Sequence, residues 1–259
     1  MKVKNIIYAG LMIALVFIAT FSIKIPIPFT QGYVHLGDSM IFIAAILFGW
    51  KIGGIAGGFG SALADLLGGY AMWAFPTLII KFFMGALIGF LVKDLKKKEN
   101  KTLKTVINAV SIAVWVFAAI FTITYSNSLK NAVRVDNDTA ILEELELSNA
   151  SEMVKTVTKF QISIVTAIII VFVLCFIVSY FLKKKNIKFL NFTTIYGMTL
   201  AGLWMTLGYF ITEKILYGSY VVAVFGIPWN IFQFMTGLII SIIVVLGLKK
   251  INSNILPEL

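Results

Sequence analysis

An all-α integral membrane protein is the fold class this sequence predicts, and three observations predict it. Of 259 residues, 59% are hydrophobic and 13% charged, the mean hydropathy is +0.95, and the lysines gather at the ends of long apolar runs. A water-soluble globule of that composition would expose far more apolar surface than monomers tolerate, so the solvent of this chain is lipid. The formal charge of +10 therefore marks topology and is not a nucleic-acid footprint.

Eight segments read as membrane spans: residues 5–23, 36–50, 53–67, 75–92, 105–125, 160–182, 191–211 and 225–248. The second and third are short for the roughly 20 residues an upright helix needs, so they lean on neighbours or begin inside a pocket. The run MKVKNIIYAGLMIALVFIATFSI could pass for a signal peptide. No small-x-small cleavage site precedes a polar domain, and it reads as the first span. With the N-terminus inside, fifteen lysines fall in cytoplasmic segments and six basic residues on the opposite side, so both termini are expected to be cytoplasmic. The hydrophilic segment 126–159, with Asp136, Asp138, Glu143, Glu144, Glu146 and Glu152, is then a solvated outer loop in which TAILEELELS can form a short surface helix.

Residues for chemistry are scarce. One histidine, one cysteine and one arginine occur, and HExxH, GxSxG and GxxxxGK[ST] do not. Without a second histidine or a cysteine pair, neither a zinc nor a haem site is expected, His35 reads as a polar interface residue, and Cys175 as a packing or lipid-facing thiol. Neither a cofactor nor enzymatic turnover is expected, and transport is the better first reading.

Small residues organise the first half. Gly53, Gly57, Ser61 and Asp65 fall along one face of the third span and Gly54 and Gly58 along another, a pattern that lets helices pack closely within the chain. Gly10 and Ala14, four apart on the first span, can serve an internal or an external partner.

Intramembrane polar residues are the sharper signal, because a charge near mid-bilayer costs at least about 2.5–3.5 kcal/mol and faces a cavity or a partner. Asp65 precedes the turn Gly68-Gly69-Tyr70, and its reading is divided between capping that turn, pairing with Lys81, and touching a ligand. Lys81 shares a face with Thr77, behind Pro76 at the start of the fourth span, and is read as facing a ligand. Tyr209 and Glu213 are again four apart at the end of the seventh span. Asn230 and Gln233 follow Pro228 and Trp229 at the start of the eighth, where either amide alone would read as an interhelical hydrogen bond. Together with Tyr33 and Trp73, these residues lie near the outer ends of their spans, so aromatic faces and polar tips can converge on one small-molecule pocket. The candidate substrate-binding set is Tyr33, Asp65, Trp73, Thr77, Lys81, Tyr209, Glu213, Asn230 and Gln233. Lys81 would welcome a carboxylate or phosphate, Glu213 and Asp65 a cationic ring, and mutual neutralisation is a third outcome. The stretch IKIPIPFTQGYVHLGD fits an outer lid: Pro26 and Pro28 stiffen it, Gly32 lets it turn, and Phe29, Tyr33 and His35 can cover a ring-shaped ligand.

The run GYVHLGDSMIFIAAILFGWKIGGIAGGFGSALADLLGGYAMWAFPTLIIKFFMGALIGFLV, with GYFITEKILYG and IPWNIFQFMTGLI later, resembles the substrate-binding S components of energy-coupling factor (ECF) vitamin transporters. The likeness is strongest in LGD, ALADLLGGY, PTLIIK and P-x-N-x-x-Q, covers residues 1 to about 95 and about 190 to 250, and is nearest the riboflavin-type group, a label that does not fix the vitamin. The resemblance implies a six-helix core in a prokaryotic plasma membrane that binds a vitamin or precursor near its outer face. It also implies a transmembrane coupling protein and two cytosolic ATPases as partners, docking at Gly10 and Ala14, and toppling of the S component driven by ATP hydrolysis in those partners. On this likeness the chain divides into residues 1–95, the first four core helices; 96–189, an inserted transmembrane hairpin with outer loop 126–159; and 190–259, the last two core helices and a tail. On the residues alone, an ion-coupled secondary transporter working through Asp65, Lys81 and Glu213 stays open. A membrane enzyme using Asp65 and Glu213 as paired carboxylates ranks last, for want of any motif.

Overall fold

The computed structural model describes residues 3–27, 30, 32–94, 101–135, 142–143, 147–184 and 192–251. Among them are eight helices of ten residues or more: α1 (Val3–Ser22), α2 (Gly37–Phe48), α3 (Trp50–Leu67), α4 (Ala71–Gly89, prolonged by a π-helical turn Phe90–Asp94), α5 (Lys101–Val135), α6 (Ala150–Lys184), α7 (Phe192–Tyr217) and α8 (Tyr220–Ile251). Each expected span thus contains one helix. Residues 3–22, 71–92, 108–132, 150–178 and 220–251 are long and apolar enough to cross a membrane. In α3 and α7, glycines and polar residues that face the protein interior dilute the apolar run, whereas α2 is apolar but, with 12 residues, only about 18 Å long.

Close backbone approach in the first half follows from the glycines. α3 packs most tightly on α4 and also meets α1 and α2. A Cβ added at Gly53 would lie 2.7 Å from the Cα of Ala45 in α2 and 2.9 Å from the carbonyl oxygen of Gly85 in α4, so only glycine lets the three helices meet. One residue, Gly49 at φ 85°, joins α2 to α3, and that left-handed conformation turns the chain back on itself. The internal reading of the α3 glycines is the one realised. Gly10 and Ala14 lie instead on an exposed face of α1, and a Cβ at Gly10 would meet nothing within 4 Å.

Three boundaries differ from the sequence reading. Pro76 and Pro228 are inside α4 and α8 rather than at their starts, since the helices begin at Ala71 and Tyr220; each proline leaves a carbonyl one turn back without its helical donor. The outer loop is far shorter than 126–159, because α5 runs to Val135 and α6 starts at Ala150. Polar residues there still form helix. Asn149 Oδ1 accepts from the Glu152 amide (2.9 Å), Glu152 accepts from the Ser148 amide and hydroxyl (3.1 and 2.9 Å), and Lys130 Nζ donates to Gln161 Oε1 across the hairpin (2.8 Å). At 35 residues each, α5 and α6 are about 52 Å long and outreach a hydrocarbon core of about 30 Å. Most of the TAILEELELS stretch lies outside the described residues, as do Pro28 and Phe29 of the lid.

The hairpin α5–α6 stacks beside α7 and α8. Trp115 anchors it, fully buried, 5.9 Å from the Phe234 ring and donating to Thr199 Oγ1 (3.2 Å), while Phe160 stacks on Phe225 at 4.5 Å. Cys175 is a buried, free thiol in this packing.

Candidate functional site

Between α1 and α2 the chain forms a small antiparallel ribbon, Ile25–Pro26 (β1) against Tyr33–Val34 (β2), pairing Ile25 with Val34 and Pro26 with Tyr33. The ribbon borders, together with α3, α4, α7 and α8, a small half-open cavity in which a water molecule's centre reaches about 30 Å³. The lid supplies Ile27, Gly32, Tyr33 and His35 to its walls. α3 adds Asp65, α4 Trp73 and Thr77, α7 Tyr209 and Glu213, and α8 Asn230 and Gln233. Eight of the nine residues singled out from sequence therefore line one cavity, drawn from four helices and the lid.

Lys81 is the exception and corrects the sequence reading. One helical turn below Thr77, it is fully buried and does not line the cavity; its ammonium is paired with Asp38 at the start of α2. Lys81 Nζ also lies 2.8 Å from Met205 Sδ and 5.4 Å from the Tyr209 ring centroid. Burial without water demands such a partner, and the N-terminus of α2 adds a positive dipole end near the Asp38 carboxylate. Neither Asp38 nor its pairing was anticipated, although a carboxylate inside span 36–50 and within Leu36-Gly37-Asp38 was a visible signal. Asp65 is consequently free of Lys81 as a direct partner: its Oδ1 accepts from the Tyr33 hydroxyl (2.6 Å). Burial and the Asp65 carboxylate push the Tyr33 phenol up, so it remains a donor.

Gln233 joins the two layers. Its Oε1 accepts from the His35 amide (3.0 Å) while Nε2 donates to Asp38 Oδ2 (3.1 Å), so one side chain both lines the cavity and ties α8 to α2. The His35 ring accepts at Nδ1 from the Gly37 amide (3.0 Å); burial, then the positive charge of Lys81, hold its pKa down to about 3, against the opposing charge of Asp38. His35 is thus the buried polar interface residue expected, and it also faces the cavity. The Tyr209 hydroxyl donates to Thr77 Oγ1 (3.3 Å), and the Trp73 and Tyr209 rings meet edge to face at 5.9 Å. Asn230 spends one amide hydrogen on the Gly226 carbonyl (3.1 Å) and keeps the rest of its amide at the wall.

Two buried polar atoms on residues that line this cavity have no hydrogen-bond partner among the described residues: Trp73 Nε1 and Glu213 Oε2, on side chains that are 4% and 2% exposed. In a folded chain such atoms are rare and mark a place where something else bonds. A second cavity, larger than the first at about 270 Å³ against about 30 Å³ reached by a water molecule's centre, lies between the hairpin and α7–α8 behind Trp115, Phe121, Ile168 and Phe210; its walls are almost wholly apolar and offer a water-soluble molecule nothing to orient it. No group of three or more His, Cys, Asp or Glu side chains that could hold a metal ion occurs among the described residues.

Set against known proteins, the chain matches the family described as ECF-type riboflavin transporter, S component, over residues 1–134 and 148–250. That match runs through both helices of the hairpin and omits the connection between them. A protein of Pyrococcus woesei described as an uncharacterized protein in the gap 3′ region is 44% identical over 93 residues, 36% of this chain and 62% of that one. The chain thus spans less than two thirds of that relative's length. No solved structure matches it.

Proposed function

Because this chain belongs to the family of ECF-type riboflavin transporter S components, and is with them a multi-pass plasma-membrane protein, we propose that it is the substrate-binding subunit of such a transporter. It captures a small water-soluble vitamin or precursor in the cavity under the β1–β2 lid. The observation that supports this reading is the convergence of Tyr33, Asp65, Trp73, Thr77, Tyr209, Glu213, Asn230 and Gln233 on one cavity beneath the ribbon, drawn from four helices. A few convergent polar groups among aromatic faces suit a ring-bearing solute. With so little of the volume accessible in this lidded form, entry requires the ribbon to swing away, and Tyr33–Asp65 is the contact that must open.

Energy comes from outside the chain: a transmembrane coupling protein docks on the exposed Gly10–Ala14 face of α1, and two cytosolic ATPases drive the cycle. The hairpin α5–α6 stands beside the core, since neither helix contributes to the cavity wall among the described residues. The test is mass spectrometry of small molecules released from gently purified protein, followed by titration with the compound found. Stoichiometric release of a vitamin-like compound bound at nanomolar affinity, about 12 kcal/mol of binding free energy, is expected. Release of lipid alone, with no vitamin or precursor bound on titration, refutes the reading.

A further inference from the structure

If the cavity holds a solute, the charge of its walls selects which. Resting on the reading above, we propose that the ligand is a flat nitrogen heteroaromatic carrying a positive charge, seated with that charge against Glu213 and with a hydrogen-bond acceptor toward Trp73 Nε1.

The argument starts from what is absent from the wall. Among the described lining residues there are two carboxylates, Asp65 and Glu213, and no lysine or arginine. Lys81 and Lys24, which pack against lining residues, are engaged with other groups. Lys81 is paired with Asp38 beneath the floor, and Lys24 stands at the rim, 4.4 Å from the Phe21 ring centroid and just over 5 Å from those of Tyr33 and Tyr70, reaching the Gly68 carbonyl at 3.5 Å. An anionic ligand would find no lysine or arginine among the described lining residues to receive it.

The two carboxylates are not equivalent. Asp65 is answered by the Tyr33 hydroxyl, whereas Glu213 has a buried oxygen with no partner among the described residues. Leaving such an oxygen unpaired is costly, and a cationic ligand supplies the missing partner. Gly226 is part of this arrangement. It presents bare backbone to the Glu213 carboxylate, and a Cβ there would push that carboxylate aside. The rings fit the same assignment: Trp73 lines the cavity with Glu213, and an indole attracts a delocalised cation as well as a flat ring. Trp73 Nε1, a donor only, requires an acceptor on the ligand.

The experiment is a titration of the full chain in nanodiscs at pH 7 with a charge series of similar size: 1-methylnicotinamide (cation), nicotinamide (neutral) and nicotinate (anion), extended by thiamine (cation) and riboflavin (neutral). At least one cation is expected to bind tenfold or more tightly than the neutral and anionic members. Glu213→Gln should weaken that cation tenfold or more, and by a larger factor than it weakens any neutral member that binds. Equal or tighter binding of riboflavin, nicotinamide or nicotinate, or a cation indifferent to Glu213→Gln, overturns the charge assignment while leaving the transporter-subunit reading in place. Should Glu213→Gln not fold, the charge series on the unaltered chain decides alone. If none of the five binds, the compound released from purified protein decides: a cation supports the proposal, a neutral or anionic vitamin overturns it, and lipid alone overturns both readings.

Discussion

Replacing Asp38 and Lys81 singly and together separates a structural ion pair from a ligand contact. Both side chains are fully buried, Lys81 meets the Asp38 carboxylate, Met205 Sδ and the Tyr209 ring, and Asp38 also accepts from Gln233. Removing one member leaves the other charged and unpaired in a low-dielectric site, which costs about 3–5 kcal/mol. At roughly 2–4 °C per kcal/mol for a chain near this size, Lys81→Met or Asp38→Asn should lower the thermal midpoint by roughly 6–20 °C. The double variant removes both charges, keeps an acceptor for Gln233 in the asparagine, and fills the lysine volume with an apolar stem. It should therefore be more stable than the worse single variant, with a coupling energy of about 2 kcal/mol or more. Thermal unfolding in nanodiscs, run alongside titration with the released ligand, reads both quantities. Ligand affinity of the double variant should stay within about threefold of the parent, because neither residue lines the cavity. The reasoning is refuted if Lys81→Met weakens binding strongly while the midpoint holds, since that is the signature of a ligand contact.

Four further perturbations test other parts of the structure. Gly53→Val would drive a side chain into the backbones of α2 and α4 and should cost about 3 kcal/mol or more, whereas Gly10→Leu meets open space and should leave the midpoint unchanged while abolishing co-purification with the coupling protein; intact assembly would remove α1 as the docking face. Tyr33→Phe deletes the 2.6 Å bond from lid to Asp65, a charge-assisted bond of about 1.5–3 kcal/mol, and should speed ligand dissociation roughly tenfold or more, measured by stopped flow; an unchanged off-rate would show that the ribbon is not the gate. His35 is held neutral to about pH 3, chiefly by burial and then by Lys81, so below its ordinary pKa near 6.5 the unfolded chain takes up a proton that the folded chain refuses. Stability is therefore complete above pH 6.5 and falls as pH drops from there toward 3, by about 1.4 kcal/mol at pH 5.5. His35→Gln should remove that share of the acid slope, and an unaltered slope would show that the imidazole is protonated in place.

Much of the fold was legible because lipid makes periodicity and length decisive: eight apolar runs became eight helices, and lysine clusters marked their ends. Boundaries failed where polar residues are helical, as at Ser148–Glu152, where side-chain caps rather than apolar pattern start α6. Prolines misled for a related reason, since Pro76 and Pro228 are tolerated within helices whose starts lie further out. The candidate site was legible as a set because intramembrane polar residues at one depth have few places to go. Its internal pairing was not. Asp65 and Lys81 are the obvious opposite charges of the first half in sequence, yet the approach of α2, α3 and α4 across their glycines brings Asp38 to Lys81 and leaves Asp65 to the lid.

From composition, spacing and charge alone came the membrane as solvent, the helix count, the close-packed glycine face of α3 and the gathering of polar residues at the outer ends. Tertiary structure alone decided which charges neutralise each other beneath the cavity and which remain at its wall. A charge buried in lipid must find a partner, but which partner lies within hydrogen-bond reach is set by how closely the helices approach.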